Sequence, residues 1–415
     1  MDYKLNQTNL KHILCSVLFF LTLLLNSYSL FRFDNFFVTL FFPMSIVVVV
    51  YAFAVEHNFT KDNIIFVFLF YVFFHSIFWG LPHPTAFILI LFYIITYLCS
   101  YRNVRKKDFE NKIDLFQKVM NVLAFYGIYQ FVGRIISLPF TDLVIPDHMV
   151  EGFNWTNLTF IGGMCVSRSN AIFLEPSVFS QFLAMNIALY LYKVYFFELS
   201  IKEKRTFFFF LILNFFAILT TLSGTGFIIL FFSLTFSVLL RKRYLSTIIY
   251  HGIKSVFITS VILFFLAAFL KFDFFGYLTN RITELFAYDE LRSSGFLRFT
   301  GAFMIMTESF KENFLFGCGL GEIKYFTQTL YNLKTESNGY VANGIARIGT
   351  ELGFAGLIFW LLFLFSNMKR WINNNSIGLI FVLSACAMNL TMESFSSAYF
   401  WMILCFTNVS IVEDY

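Results

Sequence analysis

Two arginines, Arg168 and Arg298, with a few carboxylates and amides, are the residues of this 415-residue chain best placed to do chemistry. Arg168 precedes Glu175-Pro176 in SRSNAIFLEPSVFSQF (167–182), at the threshold of a long apolar run. Proline in a first helical turn is pre-organised, and an acid just before it complements the helix dipole by about 0.3–1 kcal/mol. That accounts for Glu175 as a helix-start residue. It does not account for Arg168, a cation near a positive helix end. Arg168 either pairs with Glu175 or a loop carboxylate, or holds an anion such as a phosphate bidentately beside the helix start.

A second segment, LRSSGFLRFTGAFMIM (291–306), carries Arg292 and Arg298 around Ser293-Ser294-Gly295. A flexible Ser-Ser-Gly before an amphipathic helix can deliver an arginine into a cavity; alternatively both arginines pair with Asp289 or Glu290 on a solvated face. Further on, Asn343, Arg347 and Glu351 recur every four residues and so share one helix face. That stripe either lines a cavity or caps the bundle. Gly317, Gly319 and Gly321 in FLFGCGLGE permit tight turning or close backbone approach, but no strand precedes them, so a dinucleotide loop is not indicated. Ser223-Gly224-Thr225-Gly226 reads as a tight turn. The six cysteines lack CxxC spacing, which predicts no metal site, and nothing in the sequence calls for a cofactor.

The elements that must position these residues are membrane spans. The chain is 58% hydrophobic and 13% charged, with mean hydropathy +0.72, where a soluble domain carries about 25% charged residues. Apolar runs long enough to cross a bilayer recur throughout. The expected fold is an all-α polytopic membrane protein, one integral membrane domain over residues 1–415. About 12 transmembrane helices are expected, at roughly 12–31, 35–55, 63–81, 84–101, 114–137, 176–197, 206–222, 224–240, 248–270, 348–367, 376–391 and 397–412. Basic clusters at Arg102–Lys112, Lys202–Arg205, Arg241–Arg243 and Lys369-Arg370 fall on one side of this path. By the positive-inside rule that side, with both termini, is cytoplasmic. Two large outer loops remain, 138–175 and 271–347, and function is expected there.

The spans hold few ionisable residues, which disfavours proton-coupled transport and ion conduction. In the second loop eight basic residues balance eight acidic ones, 8 − 8 = 0, so neither nucleic acid nor a charged lipid surface is an expected partner. Arginine in that loop acts by placement. The 63 phenylalanines are ordinary lipid-compatible residues and predict no aromatic platform.

Four stretches in order, Arg168 with FLEPSVFSQFLA, TLSGTGFIIL (221–230), Arg298 with KENFLFGCGLGE, and NGIARIGTELGFAGL, resemble the O-antigen polymerase and ligase superfamily of bacterial envelope enzymes. The resemblance covers most of 114–367; the first 110 residues contribute only spans. It implies a GT-C-like, metal-independent, inverting glycosyltransferase of the bacterial inner membrane. The active site would face the periplasm and use undecaprenyl-diphosphate-linked glycans in the lipid bilayer. The family's two loop arginines match Arg168 and Arg298, implying catalytic roles in holding the donor diphosphate, with Glu175, Arg292, Asn343, Arg347 and Glu351 as substrate-binding candidates. Family ligases carry a His-Asn pair where this chain has Ala342-Asn343. The missing histidine favours the (Wzy-type) polymerase, with a chain-length regulator as a candidate partner. It also leaves the general base open between Glu175 and Glu351. A ligase and a flippase or exporter of lipid-linked sugars are the alternatives.

Overall fold

The structure is a computed structural model describing residues 2–33, 36–57, 59–60, 63–80, 83–143, 148–150, 158–161, 164–196, 199–239, 298–330, 343–373, 377–392 and 396–412. Among the described residues thirteen α-helices carry the fold. In chain order they are α1 (Asp2–Leu25), α2 (Phe41–Tyr51, continued by π-helical Ala52–Glu56), α3 (Asn63–Phe78), α4 (Pro84–Cys99), α5 (Lys106–Ile135), α6 (Pro176–Phe196) and α7 (Ile201–Thr221). Then follow α8 (Thr225–Leu239), α9 (Thr300–Glu312), α10 (Ile323–Leu330), α11 (Gly344–Asn373), α12 (Gly378–Met388) and α13 (Ala398–Thr407).

Helix α6 occupies the middle. Its residues 176–190 are all buried, and it packs on α5, α7, α8 and α12. A helix apolar on every side has to be covered on every side. Polar side chains in this core pair with one another. Asn186 Nδ2 donates to Asn214 Oδ1 at 2.9 Å, Asn214 Nδ2 to Asn121 Oδ1 at 2.8 Å, and Asn121 Nδ2 to the Tyr190 hydroxyl at 2.7 Å. An unpaired buried amide costs about 1–3 kcal/mol, so the triad fixes how α5, α6 and α7 face each other.

The helical class agrees with the sequence reading; the number of spans is a separate matter. Among the described residues two helices, Ile201–Thr221 and Gly344–Ile372, are long and apolar enough to cross a membrane, and seven more are apolar but only 10–17 residues long. Helices α12 and α13 each rise roughly 15–17 Å, against about 30 Å of hydrocarbon. The expected span 248–270 lies outside the described residues.

Strands appear where none were expected. Helix α1 stops at Leu25, and β1 (Ser29–Phe33) pairs antiparallel with β2 (Phe36–Thr39). The aromatic and β-branched residues of SLFRF and FFVT suit a paired ribbon better than continued helix, and Arg32 lies 5.0 Å over the Phe37 ring. Strand β3 (Arg102–Arg105) pairs parallel with β6 (Val409–Val412), and β4 (Leu158–Ile161) antiparallel with β5 (Met164–Ser167).

Arg102, read from sequence as part of a cytoplasmic basic cluster, is fully buried. It donates from Nη1 to Ser100 O and Cys405 O and from Nη2 to Phe406 O, each at 3.0 Å. It thus satisfies the last carbonyls of α13, where a cation also suits the dipole. Beside it, Lys11 and Glu56 form a buried ion pair at 2.7 Å. These charges close one end of the α1–α4–α13 group. The candidate site lies at the other.

Candidate functional site

Glu175 directly precedes α6, as its proline predicts, and its carbonyl accepts from Val178 N and Phe179 N in the first turn. Its carboxylate leaves the helix. Oε2 accepts from Ser177 Oγ at 2.7 Å and lies 3.5 Å from Arg298 Nη2. The pair is solvent-facing, 41% exposed at Glu175 and 16% at Arg298. It is also longer than a good charge-assisted hydrogen bond, which runs about 2.7–2.9 Å. Arg298 Nε donates to Thr391 O at 3.0 Å, which fixes the plane of the guanidinium.

Both charges line a cavity of about 290 Å³. Its wall comes from distant parts of the chain: Asn26 after α1, Phe37 and Thr39 of β2, Tyr93 of α4, and Ser396 and Tyr399 at the start of α13. Pockets that hold small ligands are concave, mostly apolar, and carry a few placed polar groups. This one is small and about half polar, with the Arg298–Glu175 pair among its polar groups.

The stripe Asn343–Arg347–Glu351 supports the cavity from behind. Asn343 is buried and starts α11: its Oδ1 accepts from Ala346 N at 3.0 Å, an N-cap. Its Nδ2 donates to Arg298 O at 2.8 Å and Leu390 O at 3.1 Å, so it holds the backbone of the cavity arginine. Arg347 donates from Nε to Glu351 Oε1 and from Nη1 to Ser396 Oγ, both at 3.0 Å, and Ser396 is a lining residue. Glu351 is 1% exposed and belongs to the support.

Arg168 is not among the residues lining this cavity. Its Nε donates to Thr221 O at 2.9 Å, at the end of α7, and its own carbonyl accepts from Arg134, which pairs with Asp142. A chain of polar contacts nevertheless joins it to the cavity. Ser223 N donates to Thr221 Oγ1 at 3.3 Å, Ser223 Oγ and Thr225 Oγ1 are 2.9 Å apart, and Thr225 Oγ1 donates to Ser177 O at 3.2 Å. Ser177 then reaches Glu175 and, through it, Arg298. The SGTG turn therefore bridges the two sequence-predicted arginines. Arg292 lies outside the described residues.

The glycine-rich motif turns out to be a joint. Helix α11 breaks at Gly353 (φ 68°, ψ −171°), and the 314–319 segment fills the break. Phe354 N donates to Phe314 O, Cys318 N to Thr350 O and Gly319 N to Glu351 O, at 2.8–3.0 Å. A Cβ on Gly353 would stand 2.3 Å from Leu315 O, and one on Gly317 2.3 Å from Thr350 O. Close backbone approach is the reason for these glycines. Burial, reinforced by Glu351, pushes the Cys318 thiol up.

The residues missed from sequence include Asn26, Phe37, Thr39 and Tyr93 from the first 110 positions, and Thr391, Ser396 and Tyr399 near the C-terminal end. The only sequence signal of the first four was an amide and a hydroxyl set in apolar runs on either side of an aromatic hairpin. No protein-family model matches this chain. No curated protein matches it either.

Proposed function

We propose that the chain is an integral membrane glycosyltransferase that polymerises undecaprenyl-diphosphate-linked oligosaccharide repeat units into O-antigen or a related surface polysaccharide. The observation that carries this reading is the Arg298–Glu175 pair on the wall of a cavity lined by hydroxyls, an amide and aromatic rings. An acceptor hydroxyl in the cavity loses its proton to Glu175, and its oxygen attacks the anomeric carbon of the donor sugar. The bond from that carbon to the phosphate oxygen breaks with inversion, and undecaprenyl diphosphate leaves with the electron pair. Arg298 offsets the charge that gathers on it, the kind of fixed electrostatic help that dominates many catalysed reactions. Arg168 is not on the wall of this cavity and is given no part in the step.

Two further points support the assignment. Of the two candidate bases, Glu351 is enclosed with Arg347 while Glu175 is accessible in the cavity. The cavity also lies at the other end of α1 and α13 from the buried Lys11–Glu56 pair and Arg102, which agrees with an expected topology that puts the connection after α4 inside.

Surface glycan from a deletion strain tests the reading. A polymerase predicts lipid A core bearing a single repeat, restored to a ladder by the wild-type chain. Bare core would indicate a ligase, and repeat units stranded on the inner leaflet a flippase.

A further inference from the structure

The cavity has two chemically different parts. Arg298 and Glu175 stand together on one side, with a summed formal charge of +1 − 1 = 0. The rest of the lining, including Asn26, Thr39 and Tyr93 from the N-terminal third of the chain and Tyr399 of α13, is the uncharged side. Thr39 Oγ1 donates to Asn26 Oδ1 at 3.0 Å, which orients both side chains. Tyr399, 3% exposed, also lines the cavity, and its hydroxyl meets the Ser27 and Asn26 side chains. The Phe37, Phe42 and Tyr93 rings supply the apolar wall.

We infer that this uncharged side is a sugar subsite, taking one neutral pyranose ring of an oligosaccharide. Hydroxyls around the ring edge meet the Asn26 amide, the Thr39 hydroxyl and the Tyr399 phenol, groups that both donate and accept. The C–H face of the ring meets the aromatic wall, where amphipathic rings bind best. A diphosphate fits poorly here, because the uncharged side has no cation. A polyprenyl tail fits poorly as well, because it would strand the amide and hydroxyls without partners. The ring is therefore the acceptor's, remote from any phosphate. That last assignment rests on the polymerase reading, whereas the neutral-sugar class rests on the cavity alone.

The test uses the full chain in nanodiscs and, as probe, the phosphate-free repeat-unit oligosaccharide released by mild acid from the lipid-linked pool of producing cells. Binding is followed by saturation-transfer NMR and titration. Wild type and Thr39→Ser are expected to bind alike, with Thr39→Val and Tyr399→Phe each weaker by tenfold or more. Each variant is compared at matched thermal midpoint; if Thr39→Val does not fold, Tyr399→Phe decides. No binding by wild type overturns the subsite, as does equal binding by wild type, Thr39→Val and Tyr399→Phe. Binding of inorganic diphosphate that depends on Thr39 also overturns it. Oligosaccharide binding that follows Thr39, in a chain whose deletion leaves the surface-glycan ladder intact, keeps the subsite and removes the polymerase reading.

Discussion

Arg298 Nη2 stands 3.5 Å from Glu175 Oε2 across the wall of a hydroxyl-lined cavity, and Ser177 donates to the same carboxylate oxygen. A partly exposed ion pair of this kind contributes little to stability, about 0–1 kcal/mol. Its value lies in placement: a carboxylate and a guanidinium held beside a cavity, each tied to a rigid element.

Glu175→Gln separates placement from chemistry. Glutamine still accepts from Ser177 Oγ, so protein level and thermal midpoint should stay at wild type. It cannot take a proton, so chain extension should fall about 10²–10⁴-fold, measured as repeat units added per minute by reconstituted protein. Extension within threefold of wild type would remove Glu175 as the base.

Asn343 predicts a different pattern. Asn343→Asp keeps the oxygen that caps α11 but loses the donor to Arg298 O and Leu390 O, whereas Asn343→Ala loses both. Removing a cap costs about 0.5–2 kcal/mol. Thermal unfolding in detergent should therefore place both variants below wild type, the aspartate because it turns a buried carboxylate oxygen onto two carbonyl oxygens. Both should slow extension, because both release the backbone of the cavity arginine.

At Gly353 the prediction is structural. Its positive φ and the 2.3 Å approach of any Cβ to Leu315 O leave no room for a side chain. Gly353→Ala should lose at least about 1–3 kcal/mol and detach the 314–319 segment from α11. Faster amide exchange at Cys318 and Phe354 would report it.

The buried charges at the opposite end give a double-mutant cycle. Lys11→Met leaves Glu56 buried without its lysine and should destabilise by about 3–5 kcal/mol. Adding Glu56→Gln should recover most of that loss, as read from thermal midpoints of the two single variants and the double variant.

Sequence made the helical class and the main helix starts legible, because apolar runs and Pro176 carry their own local physics. It made Arg298, Glu175 and the Asn343–Arg347–Glu351 face legible, because charge among apolar residues has few explanations. It could not show that Asn343 and Glu351 turn inward as supports, since one helix face can line a cavity or brace it. Nor could it show Arg102 as a buried cap, since positive-inside counting treats every arginine near a span end alike. The Asn26–Thr39 side was invisible for a further reason. Two neutral residues acquire meaning only when a hairpin folds them over α4 and α13, and that pairing is long-range.

The central claim is that the Arg298–Glu175 cavity joins lipid-linked repeat units. Its most direct measurement is extension of purified undecaprenyl-diphosphate-linked repeat units by the chain in proteoliposomes, with products separated by length. Wild type should give a ladder with release of undecaprenyl diphosphate, and Arg298→Ala should leave only single repeats at an unchanged protein level. No extension by folded wild-type protein, or an equal ladder from Arg298→Ala, would contradict the account.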